Sequence, residues 1–162
     1  FSDGVESHTC SGRYVSGLDI STVSEDIVGM GRTTIRFRNQ DAYWYSTNQQ
    51  LDVITGSDQT ISVEGDVLTS RIAVEVSGGS AGVPQILTNA TTGTSLTFGG
   101  DTSSFNAILN VQNFTAVQNS KNVLAYVAHS GDYSWMTLAP GDNVMTLTGG
   151  GQAQITYRGA FL

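Results

Sequence analysis

Four successive residues, His129-Ser130-Gly131-Asp132, put a base, a hydroxyl and a carboxylate side by side. A hydrolytic triad needs a nucleophile bonded to a base that a third group orients, and its members usually come from separate elements. Three of them on one strand-to-strand turn do not reach that geometry, so the stretch reads as a polar turn. His8 and Cys10 stand on one side of an extended strand as a metal pair would, but two ligands are too few and Cys10 is the single cysteine. The carboxylates Asp41, Asp52, Asp58, Glu64, Asp66 and Asp101 are scattered through turns. A glycosidase needs two acids facing each other across a cleft, and nothing singles out a pair. Asp101 and Asp142 suit a loop-built site, without ranking above their neighbours. The Gly-rich runs lack the Gly-Lys-Ser/Thr ending of a phosphate loop and read as turns. The chain is therefore expected to be no enzyme, with no catalytic residue, no metal site and no cofactor.

Aromatic residues offer contact chemistry instead. Tyr43, Trp44 and Tyr45 follow Asp41-Ala42 as three large rings in succession, alternating between two faces if extended. Such rings serve as stacking platforms for sugars, having an apolar body and a polar handle. They also serve as anchors in protein interfaces, where Trp, Tyr and Arg dominate binding energy. A third use is packing against the rest of the domain. With Arg36 and Arg38 nearby in sequence, these residues are the interface or sugar-stacking candidates. Trp135, between Ser134 and Met136, is expected to pack in the core. Asn89-Ala-Thr and Asn113-Phe-Thr fit the glycosylation triplet, a match frequent by chance in a Thr-rich chain.

The elements that must position these residues are strands. From about Leu51 the pattern has period two: Arg71-Ile72-Ala73-Val74-Glu75-Val76 and Gln152-Ala153-Gln154-Ile155-Thr156-Tyr157-Arg158 alternate polar and apolar side chains. Further strands are expected at 59–63, 84–88, 94–98, 105–111, 122–128, 134–138 and 143–148. They are punctuated by Gly78-Gly79-Ser80, Thr92-Gly93, Gly99-Gly100-Asp101, Gly131-Asp132, Pro140-Gly141-Asp142 and Gly149-Gly150-Gly151. Short, evenly spaced strands with Gly-rich turns predict an all-β fold, an antiparallel β-sandwich of jelly-roll type over 51–162. Residues 1–50 read as an N-terminal arm, with a strand at 32–38 and a short helical turn in 21–29 capped by Ser24.

Composition narrows the function. Only 13% of the 162 residues are charged, against roughly 25% for an average globular chain. Seven Lys and Arg against 14 Asp and Glu give a net charge of −7, and Lys121 is the single lysine. Few phosphates could be neutralised, so nucleic-acid binding is not expected. No apolar run approaches the roughly 18 residues of a membrane span, and no membrane insertion is expected. With 19 Thr, 18 Ser and 19 Gly, the surface is a skin of uncharged hydroxyls and turns. The chain starts at Phe1 without a basic and apolar leader pattern, as expected of a processed chain or a piece of a longer one.

The C-terminal half carries a family resemblance. Ser134-Trp135-Met136-Thr137-Leu138-Ala139-Pro140-Gly141-Asp142-Asn143-Val144-Met145-Thr146-Leu147 is similar to the closing motif of phage tail proteins of the distal-tail type, in which a tryptophan segment leads into a Leu-x-Pro-Gly-x-Asn turn. Ala153–Leu162 resembles that family's last strand, with its Tyr-Arg pair. Pro84–Phe98 resembles its strand, Asn-x-Thr-Thr-Gly hairpin and return strand. Asp41-Ala42-Tyr43-Trp44-Tyr45 resembles its Asp-Pro-x-Trp-Tyr segment, with Ala42 in place of proline. The likeness spans roughly residues 41–162. It implies a galectin-like sandwich, with residues 1–50 an arm or the end of a preceding belt-like module. It further implies a structural protein of the phage tail tip, located in the virion and extracellular when released. Its partners would be other virion tail proteins and copies of itself, with host glycans as the alternative ligand. The His-Asn-Arg and Trp signature by which galectins hold sugar is not recognisable.

Overall fold

A computed structural model describes residues 43–130 and 135–162 in full, and the backbone of 8–9, 12–16 and 36–39. The helical turn expected in 21–29, most of the strand expected at 32–38, Cys10 and the turn residues 131–134 lie outside the described residues. Strands β1 (His8–Thr9), β2 (Gly12–Ser16), β3 (Arg36–Asn39) and β4 (Trp44–Ser46) precede the body of the fold. They are followed by β5 (Gln50–Ile54), β6 (Gln59–Val63), β7 (Ile72–Ser77), β8 (Gln85–Asn89), β9 (Thr94–Phe98), β10 (Ala107–Asn110), β11 (Thr115–Gln118) and β12 (Lys121–Asn122). The chain closes with β13 (Val127–Ser130), β14 (Gly141–Thr148), β15 (Gln152–Tyr157) and β16 (Ala160–Phe161).

Two antiparallel sheets form the predicted sandwich, one in the order β12-β11-β10-β7-β15-β5 and the other β13-β9-β8-β14-β6. Alternation decides which face is wet. In β7, Ile72, Val74 and Val76 are buried while Ala73, Glu75 and Ser77 are half-buried, the pattern of a strand with one face on the core. Register aligns the buried positions: Leu109, Val74 and Ile155 stand abreast in the first sheet. Leu96, Leu87 and Leu147 do so in the second. Hydroxyls take the outer face of the second sheet, where Ser130, Ser95, Thr88 and Thr146 share one row. The chain changes sheets at the turn after β5, where Gln59 Oε1 accepts from Thr55 N–H at 2.6 Å and Gly56 N–H at 3.1 Å.

Two buried polar clusters tie the layers together. Around the Pro140-Gly141 turn, Asn143 is fully buried. Its Nδ2 donates to the carbonyls of Ala139 (2.8 Å) and Gly141 (3.1 Å). Its Oδ1 accepts from Ala139 N–H (2.8 Å) and from Asn89 Nδ2 (3.0 Å). Asn89, itself fully buried, also donates to the Thr137 carbonyl at 2.9 Å, so this residue of the glycosylation triplet is a core bracket with its amide engaged. The second cluster centres on buried Gln85. Its Nε2 donates to the carbonyls of Gly150 (2.8 Å) and Ser77 (3.2 Å), and its Oε1 accepts from the Thr102 hydroxyl. These contacts grip the turn between β14 and β15, where Gly149, Gly150 and Gly151 have φ of +88°, +81° and +74°.

Three expectations need correction. Residues 135–138 form no strand, and adjacent Trp135 and Met136 are both buried, without the alternation of a strand that has one wet face. Only Leu138 bridges, to Thr69. Trp135 does pack in the core, edge-on against Phe114 with ring centroids 5.6 Å apart. The strand expected at 122–128 is broken by a 3-10 turn at Leu124–Tyr126, which carries the chain from β12 to β13. Finally, β11 was not anticipated. Of its four residues only Ala116 is buried, and it is recognisable by its pairing with β10 rather than by its own sequence.

Candidate contact site

Strand β4 contains two of the three expected rings and lies between distant parts of the chain. It pairs with β1 on one side and β16 on the other, so Thr9 and Ala160 both face Tyr45. Alternation then separates the rings: Tyr45 is buried, Tyr43 half-buried and Trp44 37% exposed. Arg36 and Arg38 lie on β3, which pairs with β2 in a separate two-stranded ribbon. Four of the five candidates thus fall on two different sheets, Tyr43 preceding β4, with Trp44 as the ring turned outward.

Two arginines that sequence reasoning passed over complete the neighbourhood. The Arg71 guanidinium stacks on Tyr45, 3.7 Å from the ring centroid, an arrangement of cation over π-face. Arg158 Nη1 donates to the carbonyls of Ser46 (3.1 Å) and Thr47 (2.9 Å), and the Ser46 N–H donates to the Gly159 carbonyl at 2.9 Å. The end of β4 is thereby fixed to the chain leaving β15. Arg71 and Arg158 also wall a surface cleft of about 220 Å³, together with Gln49, Asn110, Gln112 and Thr156. One sequence signal could have found them: after residue 50 only Arg71, Lys121 and Arg158 are basic.

At the inner side of this corner, the Tyr157 hydroxyl lies 2.8 Å from Asp52 Oδ2 and 3.1 Å from the Ser62 carbonyl. Burial, the hydrogen bond to Asp52 and the negative charges of Asp52 and Glu64 raise the pKa of the phenol well above its ordinary value. A raised phenol pKa means the folded state holds its proton where the unfolded state releases it. The associated stability is complete below about pH 10 and is lost as pH climbs above it. Tyr157→Phe is expected to cost about 1–2 kcal/mol at neutral pH, through Asp52 losing its partner. It should also flatten the fall in stability above about pH 10; urea titrations at pH 7 and at pH 10–11 read both effects.

The remaining candidates stay apart. His129 and Ser130 are exposed on β13, where the Ser130 and Ser95 hydroxyls lie 2.7 Å apart, and Asp132 is outside the described residues. His8 sits on β1 opposite Ser46. Asp101 closes a local turn by accepting the Ser103 N–H at 2.9 Å, and its bonds to Ser103 hold the carboxyl below the usual range. Among the described residues, no three His, Cys, Asp or Glu side chains gather as metal ligands.

No family model matches the chain, and no curated protein matches it in sequence. Among solved structures it is similar to the SPP1 Dit (gp 19.1) protein, a paradigm of the hub adsorption apparatus in phages that infect Gram-positive bacteria. The likeness has a TM-score of 0.71 at 18% identity, and covers 96% of this chain and 61% of that one. The fold is therefore shared, and this chain spans less than two thirds of that protein's length.

Proposed function

We propose that the chain is a structural component of a phage tail tip, of the distal-tail type, and works through protein–protein contacts in the virion. The observation that carries this reading is the match of fold over 96% of the chain to a hub protein of a phage adsorption apparatus. The sequence supports the same family independently, through the Pro140-Gly141-x-Asn143 turn, the Thr92-Gly93 hairpin and the Tyr157-Arg158 ending. The physics suits assembly. A rigid sandwich with a charge-poor, hydroxyl-rich exterior offers surfaces that desolvate at modest cost. Outward-facing Trp44 and the β4 corner supply an aromatic anchor of the kind found at interface centres. On this reading the partners are other tail proteins and further copies of the chain, and the chain is not an enzyme.

A second reading, a carbohydrate-binding module for host surface glycans, draws on the same exposed Trp44. Antibody labelling or cryo-electron microscopy of purified virions decides between them. We expect density or label at one end of the tail. Absence of the chain from the particle would overturn the tail assignment. A strictly monomeric chain that binds a defined sugar on a glycan array, and loses it in Trp44→Ala, would establish the second reading instead.

A further inference from the structure

Four strands end a sheet of the sandwich among the described residues: β12 and β5 in one, β13 and β6 in the other. An edge strand offers unpaired N–H and C=O groups to any strand that can reach them. Which groups β5 offers follows from one bond. The Val111 N–H donates to the Ile72 carbonyl at 2.9 Å, so Ile72, Val74 and Val76 turn their backbone groups toward β10. By alternation Ala73 and Glu75 turn toward β15, and Ile155 and Tyr157 turn toward Asp52 and Gln50 of β5. Leu51 and Val53 are left with their N–H and C=O groups pointing to the open side. Their side chains are 54% and 42% exposed on the outer face. Asp52 stands between them on the inner face, where Oδ2 accepts from the Tyr157 hydroxyl. The other edges offer less. The Ala90 N–H donates to the Val144 carbonyl at 2.9 Å, which by the same rule turns Thr60 and Ser62 of β6 outward. There the Tyr157 hydroxyl already occupies the Ser62 carbonyl, and both exposed side chains are hydroxyls. In β13 the Val127 N–H is engaged by the Leu124 carbonyl, and β12 has only two residues.

We propose that the open edge of β5 receives an antiparallel strand from a partner protein, in which a lysine or arginine stands between two apolar residues. The inference deepens the assembly reading above and rests on it for the existence of such a partner. Pairing supplies the affinity and the side chains supply the choice. The two apolar residues lie opposite Leu51 and Val53 in hydrogen-bonded pairs, with their side chains on the outer face. The basic residue lies opposite Asp52 in the closer, non-hydrogen-bonded pair, where opposite charges attract. Charge complementarity selects this occupant: Asp52 and Glu64 both place negative charge at the Tyr157 hydroxyl beneath the edge. An inward-facing charge on an edge strand also turns away strands with an apolar or acidic residue at that place. The edge is therefore selective, unlike a flat apolar strand that pairs with any other.

The test uses the whole chain and a blocked heptapeptide, Ser-Thr-Val-Lys-Val-Thr-Ser, at about 20 mM salt, where exposed charges are weakly screened. NMR follows the backbone amide signals of Leu51, Asp52 and Val53. Saturable shifts centred on these residues are expected, with slowed hydrogen exchange at the Leu51 and Val53 amides. The same peptide with Glu in place of Lys should bind about tenfold more weakly, as the change from attraction to repulsion implies. Asp52→Asn, which keeps an acceptor for Tyr157, should erase that preference. Val53→Pro removes an outward N–H but no bond to β15, a change that edge strands accept, and should abolish binding. Thr60→Pro, the matching change on β6, should leave it unaltered. No saturable shift, shifts at Thr60 and Ser62 instead, or equal binding of the Lys and Glu peptides overturns the proposal. Should Val53→Pro fail to fold, the Lys-against-Glu comparison in the wild type and in Asp52→Asn decides alone. Self-association seen by sedimentation and removed by Val53→Pro would make the occupant a second copy, and overturns the assignment to a separate partner. Labelling of virions reports on the tail assignment separately: a chain found in the tail that ignores the peptide sinks the strand seat alone.

Discussion

Replacing Asn143 by alanine is expected to remove about 4 kcal/mol of stability and lower the melting temperature by roughly 10 °C. The side chain is fully buried and uses all its hydrogen-bonding capacity: two donations to Ala139 and Gly141, two acceptances from Ala139 and Asn89. Alanine strips the half-buried Ala139 N–H and carbonyl of their partner and leaves the buried Asn89 amide with the Thr137 carbonyl alone, and such orphaned groups cost more than an average hydrogen bond contributes. Asn143→Asp should be nearly as damaging, because it retains the acceptor oxygens but loses both donations and buries a charge. Val144→Thr, one residue on and on the outer face of β14, should change stability by no more than about 0.5 kcal/mol. Chemical denaturation of the three variants checks the ordering; equal effects at 143 and 144 would show the cluster to be dispensable.

Gly151→Ala should be more severe, to the point of leaving little folded protein. Its φ of +74° is unfavourable for any residue with a Cβ, and a Cβ there would lie 2.1 Å from the Ser77 carbonyl oxygen. The two nearest neighbours are backbone, Ser77 and Gly78, with the Ser77 carbonyl gripped by Gln85, and they cannot swing aside. Gly93→Ala separates the two contributions. Gly93 has φ +69° and open space around its missing Cβ, so that variant should cost only the conformational share, about 1–2 kcal/mol. Soluble yield and circular dichroism of the pair measure the difference. A well-folded Gly151→Ala protein would mean that the β14–β15 turn yields more easily than its packing indicates.

Legibility of the fold in the sequence followed the strength of alternation. Where a strand buries every second residue, as β7 does with Ile72, Val74 and Val76, its face and neighbours follow from residue types alone. Alternation failed where the backbone leaves the pleat. Trp135 and Met136 are adjacent and both buried because the segment winds between sheets, with a single bridge at Leu138. It also failed where tertiary pairing replaces composition, as in Thr115–Gln118. The Pro140-Gly141 turn was legible from local chemistry, and Gly141 indeed has φ +81°. The cleft was not. Arg71 and Arg158 lie far apart in sequence, each read as a polar residue flanking a strand, and only the pairing of Thr156 with Ala73 brings them together. The ring candidates were legible as a group but not in orientation, since β4 pairs on both sides with strands from opposite ends of the chain.

That placement of β4 has a topological consequence. Thr9 and Ala160 flank Tyr45 from either side, so β1 and β16 run about 10 Å apart, two strand spacings. Strand β4 is thus a splint between segments remote in sequence, and a change that breaks its pairing releases both neighbours at once.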